Sequence, residues 1–264
     1  MSAISVIVPT AATQDRAASL TRALESALGQ EGVRPDVIVV ANGPGCDPDV
    51  LATLARRRDI RLIRRHEAGL GPSISTGRDL VNAPFFAELD DDDLLLPGAL
   101  ATRLERMRVQ PTVDAVVTTG FLRAGERESL NLPDLTRCAA DPLRSLMDTM
   151  WLPPCAGLFR TSTISTEYFR AMPGYLEWTY LAMVLALERR IAFVEDAAPP
   201  AGASRRAPAT APEVRRGAPR RLGDRPVARA DVAGLAAPPP DGALSPGLAL
   251  PVLHAPPLCV RSVT

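Results

Sequence analysis

Short β-branched runs alternate with amphipathic segments along the first ninety residues. Residues 4–8 form an apolar run stopped by Pro9, which predicts a buried strand. Between residues 15 and 29 apolar side chains recur at helical spacing, and Gly29 is a natural helix stop. The alternation continues with strands predicted at 36–41, 60–63 and 85–89, and helices at about 48–57 and 74–82. Strict alternation with short turns predicts an α/β fold, a mostly parallel sheet with helices on both faces.

The pattern weakens after this point. Pro97 is suited to the first position of a helix, and Asp141 with Pro142 predicts a capped helix to about residue 150. A further helix is predicted at 177–190, and strands at 113–119, 156–160 and 191–194. The ordered domain is therefore expected to span residues 1–198.

Residues 199–264 have a different composition. They contain 13 prolines and no aromatic side chain, with Ala and Arg filling much of the rest. Such a low-complexity segment cannot bury enough apolar surface to offset its ordering entropy, which predicts a disordered C-terminal tail. The abrupt change after Asp196 supports a second hypothesis, a frame-shifted C-terminus.

Composition limits the classes of partner. The 264-residue chain has a formal net charge of zero, which argues against nucleic acid or an anionic membrane as partner. The thirty basic residues are all arginine, which is typical of a high-GC bacterial gene. We find neither a signal peptide nor an apolar run near the roughly 20 residues of a spanning helix, so we expect a cytoplasmic protein. The four cysteines are widely spaced and are expected to be free thiols.

Four consecutive carboxylates, Asp90 to Asp93, follow the strand predicted at 85–89. Adjacent like charges repel, so the block requires either a bound cation or full solvation. In parallel α/β sheets, ligands bind beyond the carboxyl ends of the strands. Three predicted turns meet at that edge: Pro9-Thr10, Asn42-Gly43 and the Asp block. The block therefore lies where such a fold places its site, although a solvated acidic turn remains the alternative.

Several stretches resemble family 2 glycosyltransferases in their order and spacing. The family's opening strand and helix are similar to SVIVPT, Arg16 and LTRALESALGQ, and its second strand and turn to VIVVANG. Its Gly-rich segment, helix, strand and Asp-x-Asp-Asp (DXD) motif are similar to AGLGPSISTGRDLVNAPFFAELDDDDLLLPGAL. The resemblance covers the first hundred residues well and continues weakly to about residue 198.

This resemblance implies a Rossmann-like GT-A fold, with a nucleotide-sugar-binding half at 1–110 and an acceptor half at 111–198. It implies an inverting transfer from a nucleotide-diphosphate sugar to a hydroxyl acceptor, either a glycan or a secondary metabolite. It also implies Mg²⁺ or Mn²⁺. Hard cations prefer oxygen ligands, and Mg²⁺ commonly binds one or two carboxylates together with substrate phosphates. Such a metal would neutralise both the Asp block and the leaving diphosphate.

The family's spacing makes Asp90 the first member of the motif and Asp92 and Asp93 its later pair. We expect Asp92 to be the firmest metal ligand, with Asp90 and Asp93 as further ligands. Asp90 and Asp91 are expected to contact the donor, Asp90 at the sugar or ribose. If the segment is extended, Asp90 and Asp92 share one side and Asp91 and Asp93 the other.

The remaining donor contacts come from the neighbouring turns. The resemblance places Pro9 and Thr10 beside the nucleoside. Asn42 stands where relatives often carry an acidic residue that binds the base, and Asp47 could substitute from the same turn. Arg78 follows the Gly-rich segment, where it either faces the diphosphate or ribose, since Arg suits phosphate, or lies solvated on a helix surface.

The catalytic base has two interpretations from the sequence. An inverting transfer requires a base for the acceptor hydroxyl, and relatives commonly present a Glu-Asp pair at the start of a late helix. Glu177 matches the first acid, whereas Trp178 occupies the second position. Glu177 is therefore either the base or an acid that favours the helix dipole. Trp178 and Trp151 either line the acceptor site or pack in the core.

The tryptophan at the second position and the unusual C-terminal third support an alternative. In that reading the chain is a catalytically silent GT-A-like module that binds a nucleotide or a partner protein. A homodimer is compatible with either reading.

Overall fold

Two sheets contain the strands of the described chain. The structure is a computed structural model that describes residues 3–124, 127–130, 135–195, 253–254 and 259–262. In chain order its strands are β1 (Ala3–Thr10), β2 (Arg34–Asn42), β3 (Ile60–Arg65), β4 (Phe85–Glu88), β5 (Leu94–Leu95), β6 (Ala115–Thr118), β7 (Phe121–Ala124), β8 (Arg127–Leu130), β9 (Gly157–Arg160), β10 (Ile191–Glu195), β11 (Leu253–His254) and β12 (Cys259–Ser262).

Helices connect most of these strands. They are α1 (Ala17–Leu28, preceded by a 3-10 turn at Gln14–Arg16), α2 (Pro48–Arg56), α3 (Leu70–Asp79), α4 (Ala99–Val109), α5 (Leu135–Ala140), α6 (Pro142–Ser145), α7 (Glu167–Arg170) and α8 (Glu177–Glu188).

The larger sheet is mixed but mostly parallel. Its eight strands lie in the order β3-β2-β1-β4-β9-β6-β10-β11. Only β9 is antiparallel to its neighbours, β4 and β6. The strands β1, β2, β3, β4, β6 and β10 therefore all point the same way, and their carboxyl ends share one edge. The smaller sheet has the order β5-β12-β7-β8 and begins directly after the Asp block.

Alternation along the strands divides the apolar core into two layers, as predicted. Leu24 of α1 and Leu104 of α4 pack on one face of the large sheet. Ile74 of α3 and Leu181 of α8 pack on the other. The approach of α3 to β1 requires glycine, because a Cβ at Gly77 would lie 2.4 Å from Ile7 Cγ2.

Three predicted helix boundaries are corrected by the structure. The helix expected at 74–82 is α3, which begins earlier, at Leu70. Pro97 does not start α4, because Gly98 adopts the left-handed conformation (φ 78°) and the helix begins at Ala99. The helix expected from Pro142 to about residue 150 is limited to α6, although Asp141 caps it by accepting from the Arg144 backbone N–H.

Two strands beyond the domain boundary predicted at residue 198 pair with the sheets. Strand β11 pairs in parallel with β10, and β12 pairs with β5 and β7, so the chain returns to both sheets after the proline-rich segment. The remainder of 199–264, for which a tail was predicted, lies outside the described residues.

Two further sequence expectations are addressed by the described residues. Cys46 and Cys138 are free thiols, as expected, whereas Cys155 is disulfide-bonded. Among the described residues, no helix combines the length and apolar character needed to cross a membrane.

Candidate functional site

The Asp block forms a turn at the carboxyl edge of the large sheet. The Asp93 backbone N–H donates to the Asp90 carbonyl at 3.2 Å, so the segment is not extended as expected. Asp91 and Asp93 are nevertheless buried, and Asp90 and Asp92 are half-buried. Exposure thus alternates along the block, but a tight turn and not an extended segment produces this alternation.

Thr10 and Arg16 hold the turn from the end of β1. Thr10 Oγ1 donates to Asp91 Oδ2 at 2.6 Å and accepts from the Ala12 backbone N–H at 2.9 Å. The Arg16 guanidinium is ion-paired with Asp91, and its Nη1 lies 3.5 Å from Asp92 Oδ2. Burial raises the pKa of Asp91, while Thr10 and Arg16 act against that rise. The Arg16 guanidinium is therefore a cation from the protein itself that neutralises part of the charge of the block.

Arg16 was noted in the sequence only as part of the opening motif. Its position, six residues after the end of a strand, contains no signal for a partner 75 residues away. Its role as the counter-ion of the block becomes visible only when β1 and β4 are placed side by side.

A second carboxyl layer lies beneath the turn. Glu88, the last residue of β4, is 1% exposed, and its Oε2 accepts from the Cys155 backbone N–H at 3.3 Å. Burial, followed by the charge of the neighbouring Asp90, raises the pKa of Glu88 well above its ordinary value. Sequence reasoning missed Glu88; the available signal was an acid in an otherwise apolar strand.

Asn42 and Asp47 lie beside Thr10, as the edge argument predicts. Asn42 Nδ2 donates to the Thr10 carbonyl at 2.9 Å, and its Oδ1 accepts from the Gly69 backbone N–H at 3.2 Å. Asp47 Oδ1 caps α2 by accepting two backbone N–H groups, and its own N–H donates to the Ala12 carbonyl. Pro9 is buried in β1. Both polar side chains therefore have structural partners, and their predicted contacts with a base stay predictions.

Arg78 lies at the opposite edge of the sheet. Its Nε donates to the Ile164 carbonyl at 2.9 Å and its Nη2 to the Thr161 carbonyl at 2.6 Å. The Thr161 backbone N–H in turn donates to the Pro84 carbonyl, which precedes β4, whereas the Asp block follows β4. The guanidinium also stacks over the Phe86 ring at 4.9 Å. Arg78 is thus a packed bridge and not a solvated surface residue, and at this position we expect no contact with the diphosphate.

Glu177 is the first residue of α8. That 12-residue helix packs on the large sheet and leads into the start of β10, so its first turn returns to the carboxyl edge. Glu177 therefore lies at the same edge as the Asp block, preceded by the exposed Tyr175 and Leu176. Its role as the base stays a prediction.

The two tryptophans differ in their surroundings. Trp151 is fully buried, donates to the Pro142 carbonyl at 2.7 Å and packs edge-on against Phe193, so it belongs to the core. Trp178 packs against the same core layer but is half-buried. Its indole N–H is buried and has no hydrogen-bond partner among the described residues.

The donor set of the block suits a cation that is shared with a substrate. Within the described ranges no cluster of three or more His, Cys, Asp or Glu side chains is arranged to hold a metal ion. Mg²⁺, however, commonly uses only one or two carboxylates and takes its other oxygens from phosphates and water. Asp90 and Asp92 are the half-buried members of the block and fit that mode of binding.

Comparisons with known proteins define the class. Residues 5–153, more than half of the chain, match the model of glycosyl transferase family 2. The chain therefore belongs to this family, and a role in glycosyl transfer is supported. A search of curated proteins found no match.

Solved structures of S. aureus TarS share the fold. TarS 1–349 in complex with UDP-GlcNAc is 17% identical with a TM-score of 0.53, over 74% of this chain and 56% of that one. A further TarS structure is 19% identical with a TM-score of 0.56, over 75% of this chain and 36% of that one. The chain thus spans less than two thirds of these relatives. At such identities the likeness shows the GT-A fold alone.

Proposed function

We propose that this protein transfers a sugar from a nucleotide-diphosphate sugar to a hydroxyl acceptor with inversion at the anomeric carbon. The observation that carries the proposal is the acidic turn held against the end of β1 by Thr10 and Arg16. Buried carboxylates are costly, so an arrangement of this kind at a sheet's carboxyl edge is expected where a cation or charged ligand binds.

A divalent cation, Mg²⁺ or Mn²⁺, is proposed to bind the donor diphosphate at this turn. Asp92 and Asp90 would be its principal protein ligands, with Asp93 as a further carboxylate below them. Asp91 is committed to Thr10 and Arg16 and would hold the shape of the turn. When bound, the cation would neutralise charge that develops on the leaving diphosphate.

Glu177 is proposed as the base. It would accept the proton of the acceptor hydroxyl as that oxygen bonds to the anomeric carbon. The bond from the anomeric carbon to the diphosphate oxygen breaks at the same time, and the nucleoside diphosphate leaves. Support for this role comes from the position of Glu177 at the first turn of α8, where solvent reaches the side chain at the carboxyl edge.

A thermal-shift panel tests the donor site. UDP, dTDP, GDP and CDP are each added with Mn²⁺ or with EDTA, to wild type and to Asp92→Ala. Ligands that bind only the folded state raise Tm by mass action. We expect one nucleotide to raise Tm with Mn²⁺ and to lose this effect in EDTA and in D92A. Folded wild type that responds to none of the four would contradict the proposal.

A silent nucleotide-binding module is the second candidate. Two observations favour it: Arg16 already neutralises part of the block, and Trp178 follows Glu177 where relatives of this family carry a second acid. Donor turnover separates the two candidates. Nucleotide binding without hydrolysis or transfer of the sugar, equal in wild type and Glu177→Gln, would identify the silent module.

A further inference from the structure

We propose that Gln30, together with Ser26, is a positioning residue that fixes the chain directly after the acidic turn. This chain is the exit segment, residues 94–100, which leads from the Asp block through β5 into α4. Both side chains would act through the backbone of the exit segment and not by touching the donor. The proposal rests on the proposed function, because it assumes that the block binds a cation together with the donor diphosphate.

Gln30 makes three hydrogen bonds from a buried position just after α1. Its Nε2 donates to the Ser26 carbonyl at 3.0 Å and to the Leu96 carbonyl at 3.0 Å. Its Oε1 accepts from the Leu100 backbone N–H at 3.1 Å. The side chain is 6% exposed, so solvent cannot readily replace these partners. Two of the three bonds therefore connect the end of α1 to the exit segment.

The bond to Leu100 also caps α4. The first backbone N–H groups of a helix have no partner within the helix, and the side chain of the N-cap residue commonly accepts from one of them. In α4 the N-cap residue is Gly98, which makes no such side-chain bond. Gln30 supplies the acceptor from outside the helix instead. The start of α4 is thus fixed relative to α1.

Ser26 adds a further bond about one turn earlier in α1. Its Oγ accepts from the Leu95 backbone N–H at 3.1 Å and donates to the Ala23 carbonyl at 2.7 Å. Leu95 is the second residue of β5, which begins directly after the Asp block. The exit segment is therefore bonded to the end of α1 at two successive residues, Leu95 and Leu96.

The beginning of the same helix contacts the block itself. Arg16, which precedes the first residue of α1, is ion-paired with Asp91, and its Nη1 lies 3.5 Å from Asp92 Oδ2. A rise of about 1.5 Å per residue places Ser26 about 15 Å along the helix from Arg16. The chain from the block to β5 therefore runs along α1 and is bonded to it at both ends. Asp93 lies between these two attachments.

Two attachments to one rigid helix fix the path of the backbone that carries the carboxylates. Removing hydrogen-bonded partners behind metal-binding groups typically lowers metal affinity by about 10- to 100-fold. Thr10 and Arg16 would still hold Asp91 after the exit attachment is lost, so the turn would be loosened at one end only. We therefore expect Gln30 to affect the affinity for a nucleotide bound with its cation, and not only the stability of the fold.

The test compares the exit attachment with a similar bond at the other end of β4. Gln30→Met keeps the length of the side chain and removes its three hydrogen bonds, whereas Ser26→Ala removes the hydroxyl that accepts from Leu95. The matched control is Thr161→Val, because the Thr161 hydroxyl donates to the Ala83 carbonyl at 2.7 Å, before β4 begins. The dissociation constant is measured with Mn²⁺ for whichever of UDP, dTDP, GDP and CDP wild type binds, together with Tm.

We expect Q30M to bind about tenfold more weakly than wild type. S26A, which loses fewer bonds to the exit segment, should bind about threefold more weakly. T161V should lower Tm and bind as wild type does. An unchanged affinity in Q30M, or an equal loss of affinity in Q30M and T161V, would overturn the positioning role. If Q30M does not fold, S26A is compared with T161V under the same criteria. Wild type that binds none of the nucleotides would instead refute the proposed function, and with it this inference.

Discussion

The side chains of Thr10 and Asp91 are joined by a 2.6 Å hydrogen bond although 81 positions separate them in the chain. The bond connects the carboxyl end of β1 to the turn after β4, two strands that lie side by side in the large sheet. Both side chains are buried, so solvent cannot replace the contact. The shape of the acidic turn therefore depends on the pairing of these strands.

Removing this hydroxyl should destabilise the protein. Thr10→Val keeps the shape of the side chain and removes the hydroxyl that donates to the buried Asp91 Oδ2, which we expect to cost about 2 kcal/mol in the free energy of unfolding. Urea denaturation measures the change. The control is Thr21→Val, because the Thr21 hydroxyl bonds an exposed helix carbonyl, and its loss should cost less than about 0.5 kcal/mol. Equal costs at the two positions would contradict the structural role of Thr10.

Arg16 should compete with divalent cations for the Asp block. Arg16→Gln removes the positive charge beside Asp91 and Asp92, so the block becomes more negative. We expect Mn²⁺ alone to bind about threefold more tightly, the modest factor that suits a half-exposed pair. Isothermal titration or Mn²⁺ paramagnetic resonance measures the affinity.

The control for this charge change is Arg22→Gln. Arg22 lies on the exposed side of α1 and donates to the Ala18 carbonyl, so its loss should leave Mn²⁺ binding unchanged. Weaker Mn²⁺ binding in R16Q would mean that Arg16 organises the block more than it opposes a cation.

Arg78 should matter for stability and not for the donor. Arg78→Met removes two hydrogen bonds to backbone carbonyls and the stacking of the guanidinium on Phe86, at a cost of about 2 kcal/mol in the free energy of unfolding. Nucleotide affinity should stay within about twofold of wild type, because the guanidinium lies at the other edge of the sheet. Calorimetry gives both quantities.

Arg56→Met is the surface control for this substitution. Arg56 bonds the exposed Thr53 hydroxyl, so its replacement should change neither stability nor affinity appreciably. A large loss of nucleotide affinity in R78M would restore Arg78 to the donor site.

The raised pKa of Glu88 predicts a pH dependence of stability. Desolvation by burial, followed by Asp90 and then Asp93, raises the pKa well above its ordinary value of 4.5, while the Cys155 N–H opposes the rise. The folded state therefore holds this proton more tightly than the unfolded chain. The stability that this tighter proton binding contributes to the folded protein is fully present below pH 4.5, and it is lost as pH rises towards the pKa of Glu88 in the folded state.

Glu88→Gln removes the ionisation and isolates this effect. We expect the stability of E88Q relative to wild type to increase as pH rises from 4.5 and then to level off. Denaturation at a series of pH values measures the difference. The control is the same substitution at an exposed glutamate of α4, Glu105→Gln. A constant difference for E88Q would show that Glu88 is charged in the folded protein.

Much of the first half of the fold could be predicted because its signals are local. Strands β1 to β4 appear in the sequence as apolar runs, and helices α1 and α2 appear as helical periodicities. Gly29 follows the last residue of α1, and Pro48 is the first residue of α2. The predicted order of parallel strands also puts the Asp block, Thr10 and Asn42 at one edge of the sheet, because the carboxyl ends of parallel strands lie together. The return of β11 and β12 to the sheets could not be predicted, because proline-rich composition suggests that no pairing occurs.

The sequence by itself determined the alternation of strands and helices, the acidic turn and its place after β4. Tertiary contacts alone bring Arg16 to Asp91, place Arg78 at the other edge of the sheet and bury Glu88 at the end of β4. These contacts depend on which strands lie side by side and on the insertion of β9 antiparallel between β4 and β6. Local periodicity shows which face of a helix or strand is buried. It contains no information about which distant side chain contacts that face.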